Sequence, residues 1–359
     1  MGILPEKLYI FTNTLKTGGA EKQAILLFNG LVNKYDVSLI VYYGREKDTR
    51  MTRIVAFPDK VLYMEGGHLQ KLWKLFHLFK ENENVAVISF LATTNVINAL
   101  IGTAAGVKYR LGGIRNSQLH WFKEFIQRHL HNKWLHYSVF NNQEGFEKFS
   151  ERGFNKQKAS VIPNAVEMPE PRSPHRNDKL QILSVGRFVI QKDYNTALDA
   201  INEAVYAGVA LNYTIIGQGG LEEQLKTKVD ELGLQDFVEI VINPDDVERY
   251  YRKADIVLST SIFEGLSNSI LEAMSFGIPV IATDVGDNHL LLQDNQSGFL
   301  VPVKRPDLIT KKLVLLAEDP ELRVKMGKQG RSFVSRKNTP ELMTESYLSL
   351  IQNLSMQNA

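Results

Sequence analysis

Residues 259–288 read STSIFEGLSNSILEAMSFGIPVIATDVGDN. The apolar run Asp255–Ser259 leads in as a buried strand, and Glu264 closes the loop after it. From about Ser267 the pattern turns helical, with Ile270, Leu271, Met274 and Phe276 on one buried face. Gly277 and Pro279 stop that helix, and Val280-Ile281-Ala282 forms the next strand. Glu264 therefore precedes a helix start, and Glu272 lies in the early turns.

Between the two glutamates, Gly265, Leu266 and Ser267 offer backbone N–H groups that the helix cannot pair. Such a start attracts anions, phosphate above all. Flanking carboxylates suit hydroxyl groups instead, one set on a sugar and another on a ribose. A ligand carrying sugar, diphosphate and ribose in a row is a sugar nucleotide. Taken alone, two glutamates at this spacing are more commonly ordinary acids on a capped surface helix, so the surrounding residues decide.

The string EGLSNSILEAMSFGIPVIAT resembles the signature of the retaining family-four glycosyltransferases, the glycogen synthase-like group 1 enzymes with the GT-B fold. The resemblance implies that Glu264 meets the transferred sugar and Glu272 the ribose. It also implies two α/β domains, each a Rossmann-like doubly wound parallel sheet, facing a central cleft.

The 359 residues suffice for two domains of ordinary size, and 44% hydrophobic content is that of a water-soluble globular chain. There is no cysteine, which excludes a disulfide framework and thiol catalysis and is compatible with a cytosolic site. Leu8–Thr12 is too short for a secretory signal and reads as a first strand. The long uncharged run Val85–Val107 could span a membrane by length alone. Thr93, Thr94, Asn95 and Asn98 break it into a strand over 85–90 and a buried helix over about 94–105.

Residues 1–165 carry 22 Lys and Arg against 13 Asp and Glu; residues 166–359 carry 20 against 27. A basic half beside an acidic half suggests that the first meets an anionic surface or substrate. Two stretches there are rich in aromatics with basic flanks: LQKLWKLFHLFK (69–80) and QLHWFKEFIQRHLHNKWLH (118–136). Each reads either as a helix lying on anionic lipid or as a core helix with a solvated basic face. No nucleic-acid partner is expected.

Strands over 7–12, 37–43, 61–64, 85–90, 108–113 and 137–141 alternate with helices, which implies a parallel doubly wound sheet. The loop NTLKTGGAE (13–21) joins the first strand to a helix, and Gly18-Gly19 lets the backbone approach a ligand. In the resembled family this loop faces the donor sugar and diphosphate. Arg115, Asn116 and His120 follow the fifth of these strands, over 108–113, where many family members carry a histidine that meets the donor sugar. They are candidate acceptor or sugar contacts, although a histidine beside Trp121 is more often a packed surface residue.

The proline-rich segment 167–178 reads as a linker, placing the domains at 1–166 and 167–339, with a C-terminal helix in 340–359 expected to cross back onto the first. In the second domain, the strand Leu180–Val185 runs into GRFVIQK (186–192). Arg187 can fork onto phosphate oxygens and Lys192 adds a second cation. By resemblance they clamp the diphosphate and stabilise the leaving group. Gly217 through Gly220 form a second glycine turn. By resemblance Asn243 would lie near the nucleotide base, at a position where relatives often carry glycine.

The expected activity is transfer of a sugar from a nucleotide-sugar donor, a UDP-sugar from the family's habits, to a saccharide or lipid-linked acceptor in surface polysaccharide synthesis. No metal or other cofactor is expected, because protein cations do that work. The expected location is cytoplasmic, peripheral at the inner face of the membrane. The alternatives are a nucleotide-sugar epimerase of the same fold and a non-catalytic scaffold binding sugar nucleotides or membrane.

Overall fold

The computed structural model describes residues 5–82, 84–115, 120–171 and 178–357. Asn116, residues 118–119 of the second aromatic stretch and half of the proline-rich segment lie outside them. The chain forms two compact units: Met1–Ala165 with Pro340–Ala359, and Val166–Thr339.

The first unit has seven strands: β1 (Lys7–Thr12), β2 (Val37–Val41), β3 (Val61–Tyr63), β4 (Val85–Phe90), β5 (Tyr109–Ile114), β6 (Tyr137–Phe140) and β7 (Ala159–Val161). All pair in parallel, in the order β3-β2-β1-β4-β5-β6-β7. The helices are α1 (Gly19–Leu31), α2 (Thr49–Arg53), α3 (His68–Lys80), α4 (Ala92–Ala104), α5 (Trp121–Lys133) and α6 (Gln143–Glu151). Strands β2 and β4 are buried along their whole length, which is why they read as continuous apolar runs rather than alternating ones.

The run 85–107 divides as its polar residues imply. Asn95 and Asn98 are buried on α4 and donate to the carbonyls of Gly113 (2.9 Å) and Leu111 (3.0 Å). The residues that interrupt the apolar run thus fasten α4 to β5. Among the described residues no helix is long and apolar enough to cross a membrane.

Two histidines in this unit are held neutral. His131 is fully buried on α5, between Ser138 Oγ (2.8 Å) and the carbonyl of Asn155 (3.0 Å). His136 Nδ1 accepts the backbone N–H of Arg110 (3.1 Å). Burial pushes both down to about 4, helped at His131 by Lys158 and at His136 by Arg110 and Lys158. Each folded value lies below that of the free side chain, so each contribution is complete above pH ~6.5 and is lost as pH falls toward ~4. The melting temperature should therefore drop between pH 6.5 and 4.5, with up to about 3 kcal/mol at stake for His131. His131→Gln should flatten part of that slope in a pH series of thermal melts; an unchanged slope would remove His131 as its source.

The second unit has six parallel strands, β8 (Leu180–Val185), β9 (Leu211–Gly217), β10 (Val238–Ile242), β11 (Ile256–Ser259), β12 (Val280–Thr283) and β13 (Gly298–Val301), ordered β10-β9-β8-β11-β12-β13. Its helices are α7 (Tyr194–Tyr206), α8 (Glu222–Glu231), α9 (Glu248–Lys253), α10 (Asn268–Ser275), α11 (Asn288–Leu291), α12 (Pro306–Glu318) and α13 (Pro320–Lys337). Gly277 ends α10 with φ +72°, and a Cβ at Gly327 would lie 1.9 Å from the Gly277 carbonyl oxygen, so α13 crosses here in direct backbone contact.

The last helix, α14 (Pro340–Gln357), belongs to the first unit, where it packs on α1. A Cβ at Gly30 would lie 2.3 Å from Thr344 Oγ1, so the two helices meet closely at this side chain.

Candidate active site

In an open parallel sheet, ligands bind at the carboxyl edge where the strand order reverses, because the loops there diverge to opposite faces and leave a crevice. In the second unit that point lies between β8 and β11. The loop after β8 carries Gly186, Arg187 and Lys192; the loop after β11 carries Glu264, Gly265, Leu266 and Ser267. Parallel pairing thus brings together two motifs more than seventy residues apart.

Lys192 Nζ donates to Glu264 Oε1 at 2.5 Å, and Ser261 Oγ donates to the same oxygen at 2.7 Å. Glu264 is 8% exposed and Ser261 fully buried. Burying a charged group is costly unless it is paired and hydrogen-bonded, and Glu264 is both. The two loops are also joined by their backbones. Ile262 N donates to Gln191 O (2.8 Å), Gln191 Nε2 to Phe263 O (2.8 Å), and Thr260 Oγ1 to the carbonyls of Lys192 and Asp193 (2.9 Å each). Asp193 sits in the left-handed region (φ +44°), which turns the chain into α7. Arg187 is exposed at the strand end, with its side chain toward solvent.

Helix α10 begins one residue after Ser267. Ser267 is the N-cap, yet its hydroxyl meets Ser269 Oγ (3.2 Å) and not the amides of the first turn. Those amides, with the positive end of the helix dipole, suit an anion beside Lys192. Glu272, in the second turn of α10, accepts from Tyr251 Oη (2.9 Å), and Tyr251 stacks on Phe276 with ring centroids 5.3 Å apart. Burial and the neighbouring Glu272 raise the Tyr251 phenol, which keeps it a neutral donor.

Gly217 ends β9, and a Cβ there would lie 1.9 Å from the Gly186 carbonyl oxygen; the glycine is required for the two loops to cross. Asn243 follows β10 with φ +45°. Asparagine is among the few residues that adopt this conformation readily.

In the first unit the order reverses between β1 and β4. Gly18 is the N-cap of α1 and Gly19 its first residue, at this edge. Leu91, in the loop after β4, has φ +85°, a strained value for a leucine and one that its neighbours did not announce. Arg115 does not open onto the edge. Its guanidinium stacks 4.4 Å from the Phe90 ring centroid and donates to Asn164 Oδ1 (2.8 Å) and Tyr347 Oη (3.2 Å). That ties α14 to the sheet, and burial lowers the Arg115 pKa. His120 is exposed as the N-cap of α5, its ring 5.8 Å from that of Trp121. The structure therefore does not join Arg115 and His120 into one site. Lys71, read as part of a solvated basic flank, is buried: its ammonium donates to the Tyr42 carbonyl (2.8 Å) and lies over the Tyr42 and Tyr43 rings at 4.9 and 5.1 Å.

Among the described residues, no group of three or more His, Asp or Glu side chains is placed to hold a metal ion. Sequence reading missed Ser261, Thr260, Gln191 and Tyr251. The one local signal was the hydroxyl pair Thr260-Ser261 directly after a buried strand.

Residues 169–333 match the family model described as glycosyl transferases group 1. A relative from Campylobacter jejuni, GalNAc-alpha-(1->4)-GalNAc-alpha-(1->3)-diNAcBac-PP-undecaprenol alpha-1,4-N-acetyl-D-galactosaminyltransferase, is 27% identical over 88% of this chain and 90% of its own length. The amylovoran biosynthesis glycosyltransferase AmsD of Erwinia amylovora is 24% identical over 88% and 91%. The crystal structure of Anabaena HepE in complex with UDP-glucose superposes with a TM-score of 0.85 at 15% identity, covering 97% of this chain and 99% of that one. The chain is a glycosyltransferase with the GT-B fold, and the match to the glycosyl transferases group 1 model covers nearly all of its second unit.

Proposed function

We propose that the chain is a retaining hexosyltransferase that moves a sugar from a UDP-sugar to a saccharide or lipid-linked saccharide acceptor in surface polysaccharide synthesis. The observation that carries this reading is the Lys192–Glu264 pair at the reversal point of the second sheet, with Arg187 on the same loop and the α10 N-terminus behind it. Arg187, Lys192 and the first-turn amides of α10 take the diphosphate, and Glu264 takes a hydroxyl of the transferred sugar. Glu272 takes the ribose, and the turns at Gly217 and Asn243 flank the base; Gly18 and Gly19 belong to the donor loop of the first unit.

The bond between the anomeric carbon and the phosphate oxygen breaks, and its electron pair stays on the diphosphate, where the cations stabilise it. The acceptor hydroxyl bonds to the same carbon on the same face, and its proton passes to the departing phosphate oxygen. Because protein cations carry the leaving-group charge, no metal is needed. The C. jejuni relative, named for an undecaprenol-linked acceptor and an alpha linkage, supports the acceptor class, and the UDP-glucose complex of HepE supports the nucleotide. A lipid-linked acceptor together with a cytosolic nucleotide-sugar donor supports a cytoplasmic enzyme, peripheral at the inner face of the membrane.

Calorimetric titration with UDP and with GDP tests the reading. UDP should bind and GDP should not. Arg187→Ala should weaken UDP by about 1.5–3 kcal/mol, roughly tenfold to a hundredfold, the worth of a charge-assisted hydrogen bond. Equal affinity in the variant would remove Arg187 from the clamp. Binding of neither nucleotide would overturn the site, and turnover of a UDP-sugar to its epimer without acceptor would replace transfer by epimerisation.

A further inference from the structure

We propose that the outer face formed by α3, α4 and α5 of the first unit docks on an anionic lipid bilayer. These helices link β3 to β4, β4 to β5 and β5 to β6, all crossing the sheet in one direction. Right-handed crossovers then place all three on one face of the sheet, opposite α1. Neighbours α3 and α4, and α4 and α5, are in contact, so the face is continuous.

The residues on this face are not those of a solvated surface. On α3, Lys71, Leu75 and Phe79 point inward, and the opposite row is Leu69, Trp73 and His77. Leu69 is 83% exposed and Trp73 64%. On α5, Gln127, Leu130 and His131 point inward, and the opposite row is Trp121, Phe125 and His129. Trp121 is 72% exposed, with Phe122 and Phe125 above half. Between them, α4 shows solvent only uncharged residues, Leu100 among them. Each helix runs antiparallel to the strands, so the large apolar residues, near the helix starts, gather toward the carboxyl edge of the sheet.

Charge selects the occupant. The three 13-residue helices contain one carboxylate, Glu124, and it is paired with Arg152 at 2.7 Å. Against it stand Lys74, Lys80, Lys123, Arg128 and Lys133, with Glu65 and Glu81 just beyond the ends of α3. Among the described residues none of these five cations is paired with a carboxylate, and exposed tryptophan and phenylalanine among such cations suit the boundary between headgroups and acyl chains of a negatively charged leaflet.

The test is co-sedimentation of the full chain with phosphatidylglycerol/phosphatidylcholine vesicles, and with pure phosphatidylcholine vesicles, at low and high salt. The chain should pellet with the anionic vesicles at low salt, less at high salt, and stay in solution with phosphatidylcholine. Lys123→Glu should weaken binding about tenfold. Trp73→Ser and Trp121→Ser should weaken it too, and brominated acyl chains should quench the wild-type tryptophans. Nucleotide affinity should be unchanged in all three variants, which separates this proposal from the site in the second unit. A chain that stays in solution at low salt, or pellets equally well in all variants, overturns the proposal. So does a dimer that forms without vesicles and is lost in Trp121→Ser.

Discussion

Glu264→Gln is expected to lower transfer about a hundredfold to a thousandfold while UDP binding holds or tightens. The substitution keeps the shape and an acceptor oxygen, so Ser261 Oγ and Lys192 Nζ retain a partner. It removes only the charge. Lys192 then loses the anion that neutralises it and is freer to take the diphosphate, which is why ground-state affinity should not fall. What is lost is the charged acceptor for the sugar hydroxyl, an interaction that strengthens as the sugar becomes electron-poor. Binding that grows only toward the transition state appears in kcat and not in affinity. Single-turnover transfer and UDP titration on the same preparation check both halves. A variant with full activity would leave Glu264 as a structural anion that positions Lys192. A variant that loses UDP affinity in proportion to activity would mean that the pair acts on the ground state.

The elements around this pair were legible because their chemistry is local. Parallel strands covered on both faces read as largely apolar runs, and β1, β4 and β8 begin and end where their sequence places them. Strand ends are less sharp: β2 stops at Val41, two residues before its apolar run, because Tyr42 and Tyr43 turn to meet α3 through His68 and Lys71. Glu264, Lys192 and Glu272 stood out because each sits in a short motif after a strand. Their supports did not, since no spacing links Gln191 to Phe263 or Tyr251 to Glu272; the pairing exists only once β8 and β11 lie side by side. The partners of Arg115 were hidden for the same reason. Its place after a strand suits a ligand contact, and only the packing of α14, 232 residues away, turns it toward Tyr347. At Asn243 the backbone turns left-handed, which nothing in the residues around it announced.

Gly286→Ala is expected to cost about 2–4 kcal/mol of stability and to depress transfer with it, although the residue carries no chemistry. Gly286 has φ +56°, which costs an alanine about 1 kcal/mol. Its Cβ would lie 2.4 Å from the Glu264 carbonyl oxygen and 2.8 Å from that of Gly265. Those are backbone atoms that no rotamer change can move, so the remaining cost is that of overpacking, about 1–3 kcal/mol. Relief requires the 284–287 loop to lift, which breaks the bond from Asp287 N to Gly265 O (3.1 Å), or the Glu264 loop to shift. Either movement disturbs the Lys192–Glu264 register, and sub-ångström placement is what catalysis by positioning depends on. Gly208→Ala is the control: its φ is +85°, but nothing lies within 4 Å of the added carbon, so it should show the backbone penalty with transfer intact. Urea unfolding and turnover of both variants decide between the two costs. If Gly286→Ala loses no more stability than Gly208→Ala and transfers at the wild-type rate, the loop after β12 does not brace Glu264; a larger loss at Gly286 with transfer reduced assigns the difference to that contact.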